Sequence, residues 1–189
     1  MPQLWILAGG NGAGKSTFFR QRLQPKKVQF VNADIIEKQL SLPAKPTSSY
    51  QAAQLAQLKI KELFLSGTSF CFETVFSHPS KLELISEAQK NGYEVTLVFI
   101  HLSGPRLNEL RVDQRVSEGG HRVPVEKIAP RIERLHDLMI KAVAVADHVY
   151  LLDNSSASNP FKQVAEKHGT TVQAFDDPMP EWAGNILSM

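Results

Sequence analysis

Residues Gly9 to Thr17 read Gly-Gly-Asn-Gly-Ala-Gly-Lys-Ser-Thr and follow a short apolar run, Leu4 to Ala8. The stretch matches the phosphate-loop pattern G-x-x-x-x-G-K-[ST], placed where a first strand would pass into a helix. Its glycines allow backbone N–H groups to turn inward toward phosphate oxygens. In this pattern the lysine reaches the β- and γ-phosphates, and the hydroxyl after it binds Mg²⁺. The sequence therefore predicts a site for a nucleoside triphosphate.

The predicted nucleotide-binding residues are the whole phosphate loop and one residue that follows a later strand. Lys15 is expected to hold the phosphates, and Ser16 is expected to bind the metal. The segment Asp153-Asn154-Ser155 could contact an adenine edge, with Asn154 as the binding residue, or form an Asx turn at the end of its strand, and both interpretations stay open. The complete set is Gly9, Gly10, Asn11, Gly12, Ala13, Gly14, Lys15, Ser16, Thr17 and Asn154. The expected cofactors are ATP and Mg²⁺.

Apolar runs alternate with helical patterns along the chain, which predicts a three-layer α/β fold of the P-loop NTPase type. We expect a mainly parallel central sheet, helices on both faces and a small helical lid. Strands are expected at Gln3–Ala8, Val28–Asn32, Ser69–Glu73, Tyr93–His101 and His148–Asp153. Helices are expected at Lys15–Arg22, Asp34–Leu40, Tyr50–Ser66, Pro79–Asn91, Arg106–Val116 and Pro124–Val145. The remaining segments predict a helix near Phe161–His168, a strand near Thr171–Phe175 and a surface extension from Asp176.

The length of 189 residues suits one domain over residues 1–189, with a lid at about 105–125 and a C-terminal extension at about 176–189. A net charge of +2 is too small to indicate a nucleic-acid partner, although the pI of 8.7 leaves one open. Cys71 is the only cysteine, which excludes an intramolecular disulfide and a cysteine-based metal cluster. The chain has neither a signal-like segment nor an apolar run of about 18 residues, so we expect a cytoplasmic protein without a membrane partner.

Two acidic residues are expected at the carboxyl ends of strands, where ligands bind in open α/β sheets. Asp34 could accept the proton of an attacking hydroxyl or cap the helix that follows, and both interpretations stay open. Glu73 could bind a substrate hydroxyl, support the Mg²⁺ shell or simply be a solvated strand end. Their neighbours Asn32 and Thr74 are candidate substrate contacts.

Arg111, Arg115 and Arg122 lie on or beside a Gly-Gly loop that joins two predicted helices. Phosphoryl transfer spreads negative charge over the γ-phosphoryl oxygens, and an arginine on a mobile loop can stabilise that charge. Gly119 and Gly120 would give such a lid its hinge. The pattern favours at least one functional arginine and does not choose among the three.

Taken together, these segments resemble the zeta-toxin family of P-loop kinases, especially its short single-domain branch. The resemblance covers roughly residues 1–155 and rests on motifs in order: the phosphate loop, Asn32-Ala33-Asp34, Glu73-Thr74, Gly92-Tyr93-Glu94-Val95, Arg111, Arg122 before Pro124, and the strand ending at Asp153. It implies a phosphotransferase that moves the ATP γ-phosphate to a hydroxyl of a small molecule. In classical zeta toxins that acceptor is the amino sugar of a nucleotide sugar, UDP-N-acetylglucosamine.

The resemblance also implies a role for individual residues. By position, Lys15 would hold the phosphates and Asp34 would be the catalytic base. Glu73 would contact the acceptor, while Arg111 and Arg122 would grip the transferring phosphoryl group, with Arg115 as a substitute. A small antitoxin protein that blocks the ATP site would be a partner.

Two alternatives stay open. The first is an ABC-type ATPase that acts as a switch with protein partners, because Ser117-Glu-Gly-Gly-His121 is similar to an ABC signature. Against it, Pro124 interrupts the helix that should follow, and Asn154 stands where ABC enzymes place a glutamate. The second alternative is a kinase that acts on a nucleotide or nucleic-acid hydroxyl and differs only in its acceptor.

Overall fold

The computed structural model describes residues 1–40, 48–104, 111 and 128–188, except for the side chains of residues 128 and 129. Within these ranges almost every predicted helix or strand is present, and its ends lie within a few residues of the predicted ones. The elements are β1 (Gln3–Ala8), α1 (Lys15–Phe18), β2 (Gln29–Val31), α2 (Ala33–Leu40), α3 (Ser49–Ser66), β3 (Phe70–Thr74), α4 (Ser80–Lys90), β4 (Glu94–His101), α5 (Ile128–Val145), β5 (His148–Asp153), β6 (Lys162–His168), β7 (Thr171–Ala174) and α6 (Glu181–Leu187). None of the helices in the described part of the chain is long and apolar enough to cross a membrane.

The seven strands form one sheet in the order β2-β3-β1-β4-β5-β6-β7. Strands β1 to β5 are parallel, and β6 and β7 add an antiparallel edge. At the carboxyl end of β1, Ala8 lies opposite Thr74 of β3 on one side and Phe99 of β4 on the other. The ends of β2 and β3 therefore lie on one side of the phosphate loop, and the ends of β4 and β5 lie on the other.

Hydrophobic side chains cover both faces of the sheet. Along β1, Leu4 and Ile6 belong to one buried cluster, whereas Leu7 belongs to a second. The larger cluster also contains residues of α3, α4, α5 and α6, and the smaller one contains Phe19 and Leu23 from the π-helical turn that extends α1. Since successive strand residues point to opposite faces, the two clusters are the cores between three layers. The predicted three-layer α/β fold is confirmed.

The structure differs from the predicted secondary structure in two segments, and a third predicted segment lies mostly outside the described residues. The predicted helix at Phe161–His168 is wrong, because these residues form β6, which pairs with β5 and buries Val164 and Ala165. The predicted surface extension from Asp176 is wrong over α6, where Ala183 and Ile186 are buried in the larger core. The predicted helix Arg106–Val116 and the lid at 105–125 lie outside the described residues, apart from Arg111, which is helical.

An aromatic contact joins α6 to the end of β4. The Trp182 indole stacks on the His101 ring with centroids 4.2 Å apart and planes 9° from parallel. Burial lowers the pKa of His101 to about 4, although nearby Asp153 opposes the shift, and His136 reinforces it. Burial also lowers the pKa of His136, whose ring lies 6.4 Å from that of His101. The contact is therefore built around neutral imidazoles.

Acid should loosen this contact. Because the pKa of His101 is lower in the folded chain than its ordinary 6.5, its contribution to stability is complete above about pH 6.5 and is lost as the pH falls toward 4. We expect the free energy of unfolding in urea to fall over that window, with Trp182 emission reporting the change in a Trp5→Phe background. A His101→Gln variant should lose less stability than the parent over the same window. Equal losses in the two proteins would show that His101 does not contribute.

Candidate active site

The phosphate loop leaves β1 at Ala8 and enters α1 at Lys15. The Lys15 ammonium donates hydrogen bonds to the carbonyl oxygens of Gly9 at 3.0 Å and Gly10 at 2.9 Å, and the side chain is buried. These bonds hold the positive charge of Lys15 against the phosphate loop. In this motif the backbone N–H groups of the loop bind phosphate oxygens. The arrangement can bind the phosphate groups of a nucleoside triphosphate.

Two glycines of the loop are required by close approach to other segments. Gly9 has φ of 152°, and a Cβ there would lie 2.5 Å from the carbonyl oxygen of Ile100 in β4. Gly14 has φ of 97°, and a Cβ there would lie 2.6 Å from the side-chain nitrogen of Asn154. A larger residue at position 9 would collide with the backbone of β4, and one at position 14 would collide with the side chains of Asn154 and Phe161.

The Ser16 hydroxyl donates a hydrogen bond of 2.6 Å to the Glu73 carboxylate, and the Lys15 ammonium lies 3.9 Å from the same group. Glu73 occupies this place because β3 is the direct neighbour of β1 in the sheet. A serine hydroxyl and a carboxylate are hard oxygen donors, and Mg²⁺ usually takes one or two protein ligands together with phosphate oxygens. The residues present therefore fit a magnesium ion that enters with the nucleotide, and this geometry favours the metal-shell interpretation of Glu73.

Asp34 lies in the first turn of α2 and does not cap it. The cap is Asn32, whose side-chain oxygen accepts the N–H of Asp34 at 2.8 Å and of Ile35 at 3.2 Å. Of the two roles left open for Asp34, capping is therefore wrong. Asn32 is buried, while Asp34 is exposed and lines a cleft.

That cleft has a volume of about 710 Å³ and extends from the phosphate loop between α3 and α4. Six of the predicted site residues line it: Asn11, Lys15, Asn32, Asp34, Glu73 and Thr74. Most of its wall comes from α3 and α4. The residues of α3 are Ser49, Ala53, Ala56, Gln57, Ile60 and Lys61, and those of α4 are Ser80, Lys81, Glu83, Leu84 and Glu87. The other lining residues are Ala33, Phe72, Val75 and Arg131. The volume lies within the range of about 300–1,000 Å³ that is usual for small-molecule sites.

Asn154 lies behind the phosphate loop and not in this cleft. Its side-chain nitrogen donates to the carbonyl oxygen of Ala13 at 2.8 Å, and its side-chain oxygen accepts the N–H of Phe161 at 3.2 Å. The Asx turn at this strand end belongs to Asp153, whose carboxylate accepts the N–H of Ser155. Asn154 thus ties the segment after β5 to the loop, and its predicted contact with adenine stays a prediction.

Of the three candidate arginines, the structure describes one. Arg111 is helical and half-buried, whereas Arg115 and Arg122 lie outside the described residues. Sequence reasoning missed three other cations that line the cleft, Lys61, Lys81 and Arg131. Burial lowers the pKa of Lys81, and its ammonium lies 5.1 Å from the centre of the Phe72 ring. The available signal was the placement of Lys81 just after the strand that carries Glu73.

The sequence of this chain is similar to a known protein family. A family model described as zeta toxin matches residues 1–163, most of the chain. An uncharacterised protein of Haemophilus influenzae is 29% identical over 132 residues, which are 63% of this chain and 89% of that protein. The predicted membership of the zeta-toxin family is confirmed.

Two of the solved structures that share the fold are similar to this chain over most of its length. A chain of the AvrRxo1-ORF1:ORF2 complex with ATP superposes with a TM-score of 0.75 at 20% identity, covering 94% of this chain and 62% of that one. A structure from the PezAT chromosomal toxin–antitoxin system of Streptococcus pneumoniae gives a TM-score of 0.68 at 16% identity, covering 96% of this chain and 78% of that one. This chain thus spans about six tenths of the first relative's length, and both likenesses concern the fold.

Proposed function

The chain belongs to the zeta toxin family, and on that premise we propose that it is an ATP-dependent kinase that phosphorylates a hydroxyl of a small molecule. We propose a nucleotide sugar such as UDP-N-acetylglucosamine as the acceptor. One observation carries the proposal: the Asp34 carboxylate and the Lys15 ammonium line the same cleft, beside the Ser16–Glu73 pair. A phosphate-binding group and a carboxylate of a general base are the two parts that phosphoryl transfer to an alcohol requires.

Each residue has a separate task in this mechanism. Lys15 and the backbone N–H groups of the loop hold the β- and γ-phosphates and attract the charge that develops during transfer. Asp34 accepts the proton of the acceptor hydroxyl as its oxygen attacks phosphorus and the bond to ADP breaks. Ser16 and Glu73 would hold Mg²⁺, which neutralises phosphate charge when bound. Arg111, Arg115 and Arg122 are proposed to supply further positive charge to the transferring group.

The cations of the cleft lining support an acceptor that carries anionic groups. Besides Lys15, the lining has three cations, Lys61, Lys81 and Arg131, and α4 adds the two carboxylates of Glu83 and Glu87. The partial burial of Lys81 strengthens any ion pair that it forms with a ligand. The diphosphate of a nucleotide sugar is one such group. We also propose a small antitoxin as partner, because the PezAT structure comes from a toxin–antitoxin system.

The test is to incubate the protein with Mg²⁺, ATP labelled in its γ-phosphate, and either UDP-N-acetylglucosamine or a metabolite extract. We expect label in a phosphorylated small molecule, and no labelled product with the Lys15→Met variant. Label in UDP-N-acetylglucosamine would support the specific acceptor, and label only in another metabolite would overturn that choice while supporting a kinase. Release of free phosphate as the sole product would overturn the kinase and favour the ATPase-switch alternative.

A further inference from the structure

The fold decides on which side of the phosphate loop the nucleoside part of ATP must lie. In phosphoryl transfer the attacking and leaving oxygens stand roughly in line on opposite sides of phosphorus. The cleft with Asp34 and Glu73 lies at the ends of β2 and β3, on one side of β1. If the acceptor binds there, the ADP part extends toward the other side, where β4 and β5 end. The segment that leaves β5 is therefore the nearest candidate for contact with the nucleobase.

Phe161 lies in that segment and contacts the phosphate loop directly. Two of its ring carbons lie 3.3 Å from the position where Gly14 would carry a Cβ. The ring also meets Phe18, one residue after the loop, edge to face with centroids 5.5 Å apart. Both rings are only half-buried, although they pack against the smaller core cluster. An aromatic surface is thus partly open to solvent beside the loop.

The backbone of Phe161 is held in an unfavourable conformation. Its φ is 56°, in the left-handed region that bulky residues rarely occupy. The bond from its N–H to the Asn154 side chain fixes this conformation, and Asn154 is itself bonded to Ala13 of the loop. A glycine would adopt the same φ without strain, so the side chain is kept at a cost in stability. Such local strain is commonest where a side chain serves a ligand.

We propose that Phe161 is a stacking surface for the nucleobase of ATP, held at the phosphate loop by Asn154. The inference rests on the proposed function, because it uses the side of the cleft that the acceptor would occupy. All bases stack on aromatic rings with little preference for one base over another, and one such contact strengthens binding about 5- to 150-fold. Phe161 is thus a binding residue, and Asn154 is a positioning residue that acts through it.

The test compares ATP with inorganic tripolyphosphate, which has the phosphates and no base. Dissociation constants are measured by calorimetry with Mg²⁺ and without an acceptor, for the wild-type protein and for Phe161→Leu. Leucine stays apolar and keeps part of the side-chain volume, and it removes the aromatic face. We expect the constant for ATP to rise about tenfold or more, and that for tripolyphosphate to change less than about twofold. Phe161→Tyr should restore ATP binding.

Controls separate the possible failures. Phe175→Leu changes an exposed phenylalanine just after β7, an edge strand that β4, β5 and β6 separate from β1, and should alter neither constant. If Phe161→Leu weakens both ligands equally, or neither, the stacking role is overturned while ATP binding and the kinase stand. If the wild-type protein binds tripolyphosphate as tightly as ATP, no base contact exists and the inference is again overturned. If the wild-type protein binds neither ligand, the proposed function fails as well.

Discussion

Replacing Asp34 by asparagine should leave ATP binding unchanged and lower the rate of phosphoryl transfer by about 10²- to 10⁴-fold. An asparagine has the same shape and cannot accept the proton of the attacking hydroxyl, and general-base catalysis contributes a factor of that size. The α2 cap depends on Asn32 and not on the Asp34 side chain, so the helix should stay folded. The measurement is turnover at saturating ATP and acceptor, together with the dissociation constant for ATP.

The matched control for this prediction is Glu37→Gln. Glu37 lies about one turn further along α2, and it is absent from the lining of the cleft. The two substitutions remove the same charge from the same helix, so a general electrostatic effect would appear in both. An Asp34→Asn variant with normal turnover, or a Glu37→Gln variant with an equal loss, would show that Asp34 is not the base.

The fold could be predicted wherever the signal is local. The phosphate loop is one continuous motif, and an apolar run such as Val95–Ile100 indicates a strand buried on both faces. The segment after Phe161 gave the wrong prediction because its alanine, glutamate, lysine and glutamine residues favour a helix. Pairing with β5 and burial of Val164 and Ala165 outweigh that preference, and neither can be read from the segment itself.

The C-terminal helix was missed for a similar reason. Prolines at 178 and 180 indicate a loop, but Pro180 directly precedes α6, where a proline is well tolerated. The spacing of Trp182, Ala183 and Ile186 places them on one helical face, which was the available signal. What the sequence could not supply was the partner: Trp182 stacks on His101, 81 positions earlier in the chain.

The candidate site divides in the same way. Lys15 could be identified because it belongs to one continuous motif. Asp34 and Glu73 could be identified because they stand shortly after β2 and near the end of β3, and ligands bind at the carboxyl ends of strands in open α/β sheets. That Asn32 and not Asp34 caps α2 depends on hydrogen bonds that only coordinates reveal. The bond between Asn154 and Ala13 spans 141 positions, and no local pattern indicates it. Long-range contacts of this kind decide which polar residues face ligand and which hold the loop.

Replacing Lys15 by methionine should weaken ATP binding about 100-fold or more and abolish detectable transfer. Methionine keeps the length of the side chain and removes the ammonium that the Gly9 and Gly10 carbonyls hold in place. Each charge-assisted contact to a phosphate is worth about 1.5–3 kcal/mol, or about 10- to 150-fold in affinity. The loss is compounded because Glu73, 3.9 Å from the ammonium, then repels the phosphates without compensation.

This repulsion makes the prediction sharper than a simple loss of function. Adding Glu73→Gln to Lys15→Met should recover part of the affinity for tripolyphosphate measured without Mg²⁺, since the uncompensated carboxylate is then gone. Lys61→Ala is the control, because Lys61 lines the same cleft from α3 and carries the same charge. Thermal unfolding of each variant checks that it is folded. If Lys15→Met binds ATP within about twofold of the wild-type protein, the ammonium of Lys15 does not hold the phosphates. If Lys61→Ala loses as much affinity as Lys15→Met, a general loss of positive charge explains both results, and the specific role of Lys15 is again contradicted.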